Sequence, residues 1–281
     1  VMTAYIALLR PAQWLKNLML FFPPFLGGQL LVPGQLARGI TPLLAFCFVS
    51  SSGYVLNDLL DRERDQSHPK KKLRPIPSGR ASVTGSVVLC LLLLAAGLAL
   101  GSSCSMLFLA FLLCYLGVTL SYSFALKSYP IVDLFCISAG FLLRLQAGGE
   151  VFHIEISPWL FMSVFLLSIF LSTGKRLCEY SLLGEKAVEH RENLVHYPQG
   201  YLEGIMYLSG GAVLVTYAMY TTINRTTLIY SVPLCCFGLF RYILRVQSGK
   251  SGDPTESLLK DRVLLAVGIV WVAMVAWSIY W

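Results

Sequence analysis

The chain has 281 residues, of which 56% are hydrophobic and only 13% charged, with a mean hydropathy of +0.67 and a formal net charge of +7. Charged residues make up roughly a quarter of an ordinary water-soluble domain, so that class is excluded and a polytopic membrane protein is indicated. A spanning helix takes about 20 mostly apolar residues, so nine spans would leave roughly 100 residues for connections and no room for a separate soluble domain.

Apolar runs between polar breaks predict an all-α protein with spans near 14–32, 38–57, 83–101, 104–121, 130–149, 157–173, 204–222, 228–245 and 262–281. The first run is longer than a signal h-region and no small-residue cleavage site follows it, so it is expected to be a retained span. Two long polar connections, 58–82 and 174–203, fall on one side, whereas a connection on the other side, Gly101 to Cys104, is brief. With the N-terminus placed on the side of the long loops, nineteen of the 22 basic residues lie there, Arg38 and Arg225 lie opposite, and Arg144 lies inside a span. The positive-inside rule then puts the N-terminus and both loops in the cytoplasm. This sorting accounts for the basic charge without a nucleic-acid partner.

Near the N-terminus, Lys16 and Asn17 enter the first span one turn after the run Arg10-Pro11-x-Gln13-Trp14. Lys16 at such a boundary either snorkels for structural reasons or contacts a phosphate or sugar. After the second span, a polar helix is expected to continue to Pro69. Asn57, Asp61, Asp65 and His68 recur along it at intervals of four, four and three, with Asp58 adjacent, which aligns metal-competent groups on one face at the membrane boundary. Such a row suits Mg²⁺, which takes a few carboxylates together with phosphate oxygens and water. The following Lys70, Lys71, Lys72 and Arg74 add cations for anionic oxygens. The competing reading is a solvated, salt-bridged loop helix whose lysines serve orientation. Pro69, Pro75 and Pro77 count against it, because they stiffen a loop that a connector could leave flexible.

Tyr122 and Lys127 follow the fourth span, and Asp133 opens the fifth, which also carries Arg144. An intramembrane Arg costs at least about 2.5–3.5 kcal/mol on insertion scales, so it should face a cavity or a partner. Eleven residues are close to three turns, which places Asp133 and Arg144 on one face roughly 16 Å apart. Two readings of Arg144 stand: a cavity-facing group, or a structural one neutralised by a carbonyl or by Glu150. Lys175, Arg176 and Glu179 end the sixth span, and Glu185, Glu189 and Glu192 continue as the solvated face of a surface helix. The eight cysteines lie mostly within spans without a C-x-x-C pair and read as apolar filling. Gly210 and Gly211 permit close helix contacts, and a homo-oligomer with them, without identifying an interface.

In order along the chain, Arg10-Pro11-x-Gln13-Trp14-x-Lys16-Asn17, Asn57-Asp58-x-x-Asp61-x-x-x-Asp65, His68-Pro69-x-Lys71-x-x-Arg74-Pro75-Ile76 and Gly174-Lys175-Arg176-x-x-Glu179 resemble the UbiA superfamily of intramembrane prenyltransferases, and within it the decaprenyl-phosphate phosphoribosyltransferase branch. The resemblance covers nearly the whole chain. It implies a nine-span bundle whose central polar cavity opens to the cytoplasm, in a bacterial inner membrane. It implies Mg²⁺ held by the catalytic Asp58, Asp61 and Asp65, with Asn57 as a further ligand. It implies substrate contacts at Lys16, Asn17, Asn57, His68, Lys71, Arg74, Tyr122, Lys127, Asp133, Lys175, Arg176 and Glu179, to which the intramembrane position of Arg144 adds that residue. The implied reaction moves the 5-phosphoribosyl group of 5-phosphoribosyl 1-diphosphate to a polyprenyl phosphate, as a cell-envelope precursor. Prenyl-transferring relatives carry a second D-x-x-x-D type motif where this chain has Gly-Lys-Arg-x-x-Glu. That departure exchanges metal ligands for cations and fits an additional phosphate. Two alternatives remain at this stage: transfer of an isoprenoid from its diphosphate to an aromatic acceptor, and a transporter using Asp133 and Arg144 as a pathway.

Overall fold

A computed structural model describes residues 2–67, 71–183, 196–224, 226–249 and 252–281. His68, Glu185, Glu189 and Glu192, on which expectations fell, lie outside them. In chain order the elements are α1 (Met2–Leu9), a 3-10 helix (Pro11–Phe21), α2 (Phe22–Leu26), α3 (Gln35–Leu60), α4 (Arg62–Ser67), α5 (Val83–Ser102), α6 (Met106–Phe124), α7 (Val132–Phe152), α8 (Pro158–Leu183), α9 (Tyr201–Asn224), α10 (Val232–Gln247), α11 (Pro254–Lys260) and α12 (Arg262–Tyr280). Short 3-10 turns at Lys71–Leu73, Leu126–Ser128 and Thr226–Ser231 join them. Polar residues set the helix starts: the Ser82 hydroxyl accepts from Gly85 N–H, Ser105 from Phe108 N–H, and Asp261 from Val263 and Leu264 N–H.

Among the described residues eight helices are long and apolar enough to cross a membrane. The outward sides of α5 and α12 are apolar, with Leu91, Leu92, Ile269 and Trp277 each at least 60% exposed. Continuous exposed surface of this kind is untenable in water and ordinary against lipid. The chain is therefore an integral membrane protein. α8 runs on past the expected end of the sixth span because nothing after Thr173 breaks it, and this continuation places Lys175, Arg176 and Glu179 on rigid helix rather than on loop.

The first predicted span departs from expectation: 14–32 is not one α-helix but the 3-10 helix followed by the short α2. Its polar partners step antiparallel along α3, Arg10 meeting Asp58, Trp14 meeting Ser51 and Asn17 meeting Cys47 and Ser50, while Phe21 lies against Gly39. From Gly39 to Asp58 is roughly 28 Å of α-helix. Eleven α-helical residues would cover only about 16 Å, whereas the 3-10 rise of about 2.0 Å per residue gives about 22 Å and the long end side chains reach the rest. Trp14, Asn17 and Leu20 recur every third residue, matching three residues per turn. Gly148 of α7 lets this crossing approach closely, since a Cβ there would collide with the Leu20 carbonyl.

The core is assembled from helix-pair clusters. Phe46, Phe108, Leu112 and Ala147 are fully buried where α3, α6 and α7 meet the 3-10 crossing, and Phe170 and Met206 are fully buried between α8 and α9. Gly210 is used within the chain, packed against Phe170, whereas Gly211 faces open space.

Candidate active site

The charged helix ends converge at one end of the bundle, around a cavity of about 290 Å³. Of the predicted residues, Lys16, Asn57, Asp61, Asp65, Lys71, Arg74, Tyr122, Lys127, Arg144, Lys175, Arg176 and Glu179 line it. Asn17, Asp58 and Asp133 stand behind the wall, all at most 1% exposed. Among the described lining residues nine are basic and three (Asp61, Asp65 and Glu179) are acidic.

The acidic row is not one continuous helix. α3 stops at Leu60, and Asp61 (φ −91°, ψ 7°) forms a joint before α4. The ladder still passes through it, Asp61 N–H bonding Asn57 C=O at 3.0 Å and Asp65 N–H bonding Asp61 C=O at 2.8 Å, so Asn57, Asp61 and Asp65 remain in register along the cavity. Each carboxylate is engaged by a cation from elsewhere. Lys127 Nζ reaches Asp61 Oδ1 at 2.6 Å; Arg74 Nη1 bridges Asp65 Oδ2 at 2.6 Å and Asp58 Oδ1 at 3.0 Å; Arg10 Nη2 adds a 2.5 Å contact to Asp58 Oδ1. Burial raises the pKa of Asp65 above the usual carboxylate value, and the nearby Arg74 and Lys71 offset this only in part.

Of the expected Asp58, Asp61 and Asp65 ligand set, Asp61 and Asp65 line the cavity and Asp58 does not. Asp58 is turned away from the cavity to gather Arg10 and Arg74, because adjacent residues on a helix point about 100° apart. Among the described residues no three His, Cys, Asp or Glu side chains come together closely enough to hold a metal by themselves. The donors that do face the cavity, Asn57, Asp61 and Asp65, fit Mg²⁺ shared with phosphate oxygens, which uses one or two carboxylates rather than a full protein cage.

Opposite this row, Arg176 is 2% exposed, and each of its three nitrogens donates to a partner. Its Nε donates to Asp133 Oδ2 at 2.6 Å, Nη1 to Glu179 Oε2 at 3.0 Å and Nη2 to the Tyr122 hydroxyl at 3.2 Å. The Tyr197 hydroxyl donates to Asp133 Oδ1 at 3.3 Å and accepts from Ile131 N–H at 2.6 Å; burial pushes its ionisation up to about 12, so it is neutral near pH 7. At the deep end Arg144 is 4% exposed. It donates to Asn17 Oδ1 (2.7 Å), Gly140 C=O (2.8 Å) and the Tyr115 hydroxyl (2.9 Å), and lies 4.4 Å from the Tyr115 ring centroid. Both sequence readings of Arg144 are thus partly met, because it lines the cavity and also uses a carbonyl. Glu150 is not its partner, since that carboxylate accepts from Ser105 at 2.8 Å.

The site also uses residues that the sequence reading did not assign. Arg10 carried a signal, lying in the first motif, but read as an orientation charge. Tyr115 and Tyr197 gave none, being aromatic residues among many. Asp253 lies in the connection between α10 and α12, far from any acidic row, yet its Oδ2 accepts from Lys175 Nζ at 3.1 Å.

The UbiA prenyltransferase family model matches residues 21–266. The chain is 30% identical to the decaprenyl-phosphate phosphoribosyltransferase of Corynebacterium glutamicum over 97% of this chain and 85% of that one. It is also 30% identical to the enzyme of the same name from Mycolicibacterium smegmatis, over 100% and 93% respectively. Among solved structures, a UbiA homologue from Archaeoglobus fulgidus bound to GPP and Mg²⁺ superposes with a TM-score of 0.76 at 21% identity, covering 99% of both chains, a likeness of fold. The family match across most of the chain and the superposition of the whole bundle agree with the motifs at the cavity: this protein belongs to the UbiA prenyltransferase family.

Proposed function

We propose that the chain is one catalytic domain that transfers the 5-phosphoribosyl group from 5-phosphoribosyl 1-diphosphate to a polyprenyl phosphate of decaprenyl type. The products are diphosphate and polyprenylphosphoryl-5-phosphoribose, an arabinan precursor of the cell envelope. The observation that carries this reading is the charge of the cavity, nine basic lining residues against three acidic. Each phosphate monoester group brings roughly −1.5 to −2 near pH 7. A donor with two phosphorylated ends meeting a phosphorylated acceptor needs that excess of cations more than a single prenyl diphosphate does. The names of relatives at 30% identity over nearly the whole chain support the same assignment.

Asn57, Asp61 and Asp65 face the leaving diphosphate, and Mg²⁺ held there would neutralise its growing charge as the ribose C1 gains oxocarbenium character. Lys127 and Arg74 keep these carboxylates in place. Lys16, Lys175 and Arg176, on the other side, bring the acceptor phosphate to C1 against its own repulsion from the donor. The acceptor oxygen is already anionic, so no strong general base is required, and in-line attack inverts C1. The polyprenyl tail lies in the lipid-facing part of the bundle and the soluble donor enters from the cytoplasmic side.

The test is incubation of detergent-purified protein with polyprenyl phosphate, Mg²⁺ and labelled 5-phosphoribosyl 1-diphosphate, with label followed into the organic phase. Chelator-sensitive lipid labelling is expected. Its absence from folded protein would overturn the reading in favour of prenyl transfer to an aromatic acceptor.

A further inference from the structure

Residues 252–261, between α10 and α12, belong to none of the motifs, yet this segment borders the cavity. Pro254 is part of the lining. The segment is firmly seated: the Tyr242 hydroxyl lies 2.7 Å from Gly252 C=O and 3.0 Å from Leu171 C=O, Gly252 packs on the Cys178 side chain with no room for a Cβ, and Ser257 is fully buried. Asp253 divides its carboxylate between two tasks. Oδ1 accepts from Thr255 and Glu256 N–H at 3.1 Å each, capping α11, while Oδ2 accepts from Lys175 Nζ at 3.1 Å.

We propose that Asp253 is a positioning residue that holds the Lys175 ammonium in place for the acceptor phosphate, so that this strap is a working part of the site. The proposal rests on the cavity being a site for phosphorylated substrates. Lys175 is 37% exposed at its side chain and so has solvent to retreat into. Without the carboxylate, the flexible Lys175 stem would lose the partner that holds it at the cavity and swing towards solvent. The cavity would then carry more positive charge but in the wrong place. Burial acts to raise the ionisation of Asp253, but the nearby Lys175 outweighs it and holds the carboxylate below its usual value, in agreement with the pairing.

Asp253→Asn separates the two tasks, because Asn caps a helix about as well as Asp while losing the charge that Lys175 needs. We expect kcat for ribosyl transfer to fall on the order of 10- to 100-fold, as for a misplaced binding group, with no rise in KM for polyprenyl phosphate. Asp253→Glu should recover part of the loss. In a Lys175→Met background Asp253→Asn should add less than about twofold, because both changes remove the same pair. A purely structural strap would instead give multiplicative losses in that cycle together with a raised KM, and either result would overturn the proposal. A second readout does not depend on the reaction. Acetic anhydride labelling of Lys175, followed by mass spectrometry, should quicken by at least about threefold in Asp253→Asn as the ammonium loses its partner. An unchanged labelling rate would overturn the pairing even if ribosyl transfer were confirmed; a quickened rate in a protein that transfers no ribosyl group would sink the assigned reaction and leave the pairing standing.

Discussion

Arg176 on α8 donates from Nε to the Asp133 carboxylate at the start of α7 at 2.6 Å, with the two side chains 2% and 0% exposed. This pair ties together the helices that form one wall of the cavity. Because Arg176 also lines the cavity, substrate meets a guanidinium already fixed by Asp133, Glu179 and Tyr122.

Removing one partner of such a pair leaves a buried charge uncompensated. Arg176→Met and Asp133→Asn should each destabilise the detergent-solubilised protein by about 3–5 kcal/mol, read as a loss of thermal midpoint. Arg176→Lys should recover little, because an ammonium cannot reproduce the three-way fork. Wild-type stability in either single variant would show that the wall does not depend on the pair.

The acidic row separates into two roles that substitution can tell apart. Asp61→Asn, at the cavity surface, should leave a folded protein whose turnover falls by at least about 100-fold. Its residual rate should respond more weakly to added Mg²⁺. Asp58→Asn, behind the wall, loosens the lining residues Arg10 and Arg74 and should cost about 1.5–3 kcal/mol of stability, with activity reduced through donor KM. Equal Mg²⁺ responses in the two variants would favour a shared ligand role for both carboxylates.

Asp261 caps α12 and accepts from Arg245 at 2.7 Å and Arg241 at 3.1 Å. Burial acts to raise its ionisation, but the hydrogen bonds from Arg245, from Leu264 N–H and from Arg241 outweigh it and hold it well below the usual carboxylate range. A depressed folded-state value means stabilisation that is fully present above the unfolded value, near pH 3.9, and lost as pH falls towards the folded one. Asp261→Asn keeps the cap but not the charge. It should lower the thermal midpoint at pH 7, and its gap from wild type should narrow below about pH 4. A constant gap across that window would assign the effect to packing instead.

Gly148→Ala tests the 3-10 crossing. The new methyl group would meet the Leu20 backbone, which cannot rotate aside as a side-chain tip could. A forced displacement of this kind costs about 1–3 kcal/mol, and it would shift Lys16 and Asn17 along with Leu20. Gly211→Ala, which meets open space, is the matched control and should be close to neutral in both stability and ribosyl transfer. Equal behaviour of the two variants would dissociate the close approach from the site.

Much of this protein was legible in its sequence because two signals are local. Membrane spans are read from runs of apolar side chains, since every spanning segment must satisfy its own backbone in lipid. The Asn57, Asp61 and Asp65 register is read from helical spacing, which survives the joint at Asp61 because the hydrogen-bond ladder passes through it. The tertiary structure decided what spacing cannot encode. The first crossing became a 3-10 helix because it had to follow α3 with few residues. Asp58 turned inward because Arg10 and Arg74 converge on it from distant segments. Asp253, unremarkable in its own surroundings, entered the site because the seating of Gly252 against α8 brings its carboxylate to Lys175. Charge pairing acts through space, and the partner of each cation here was set by which helix ends the packing brought within a few ångströms.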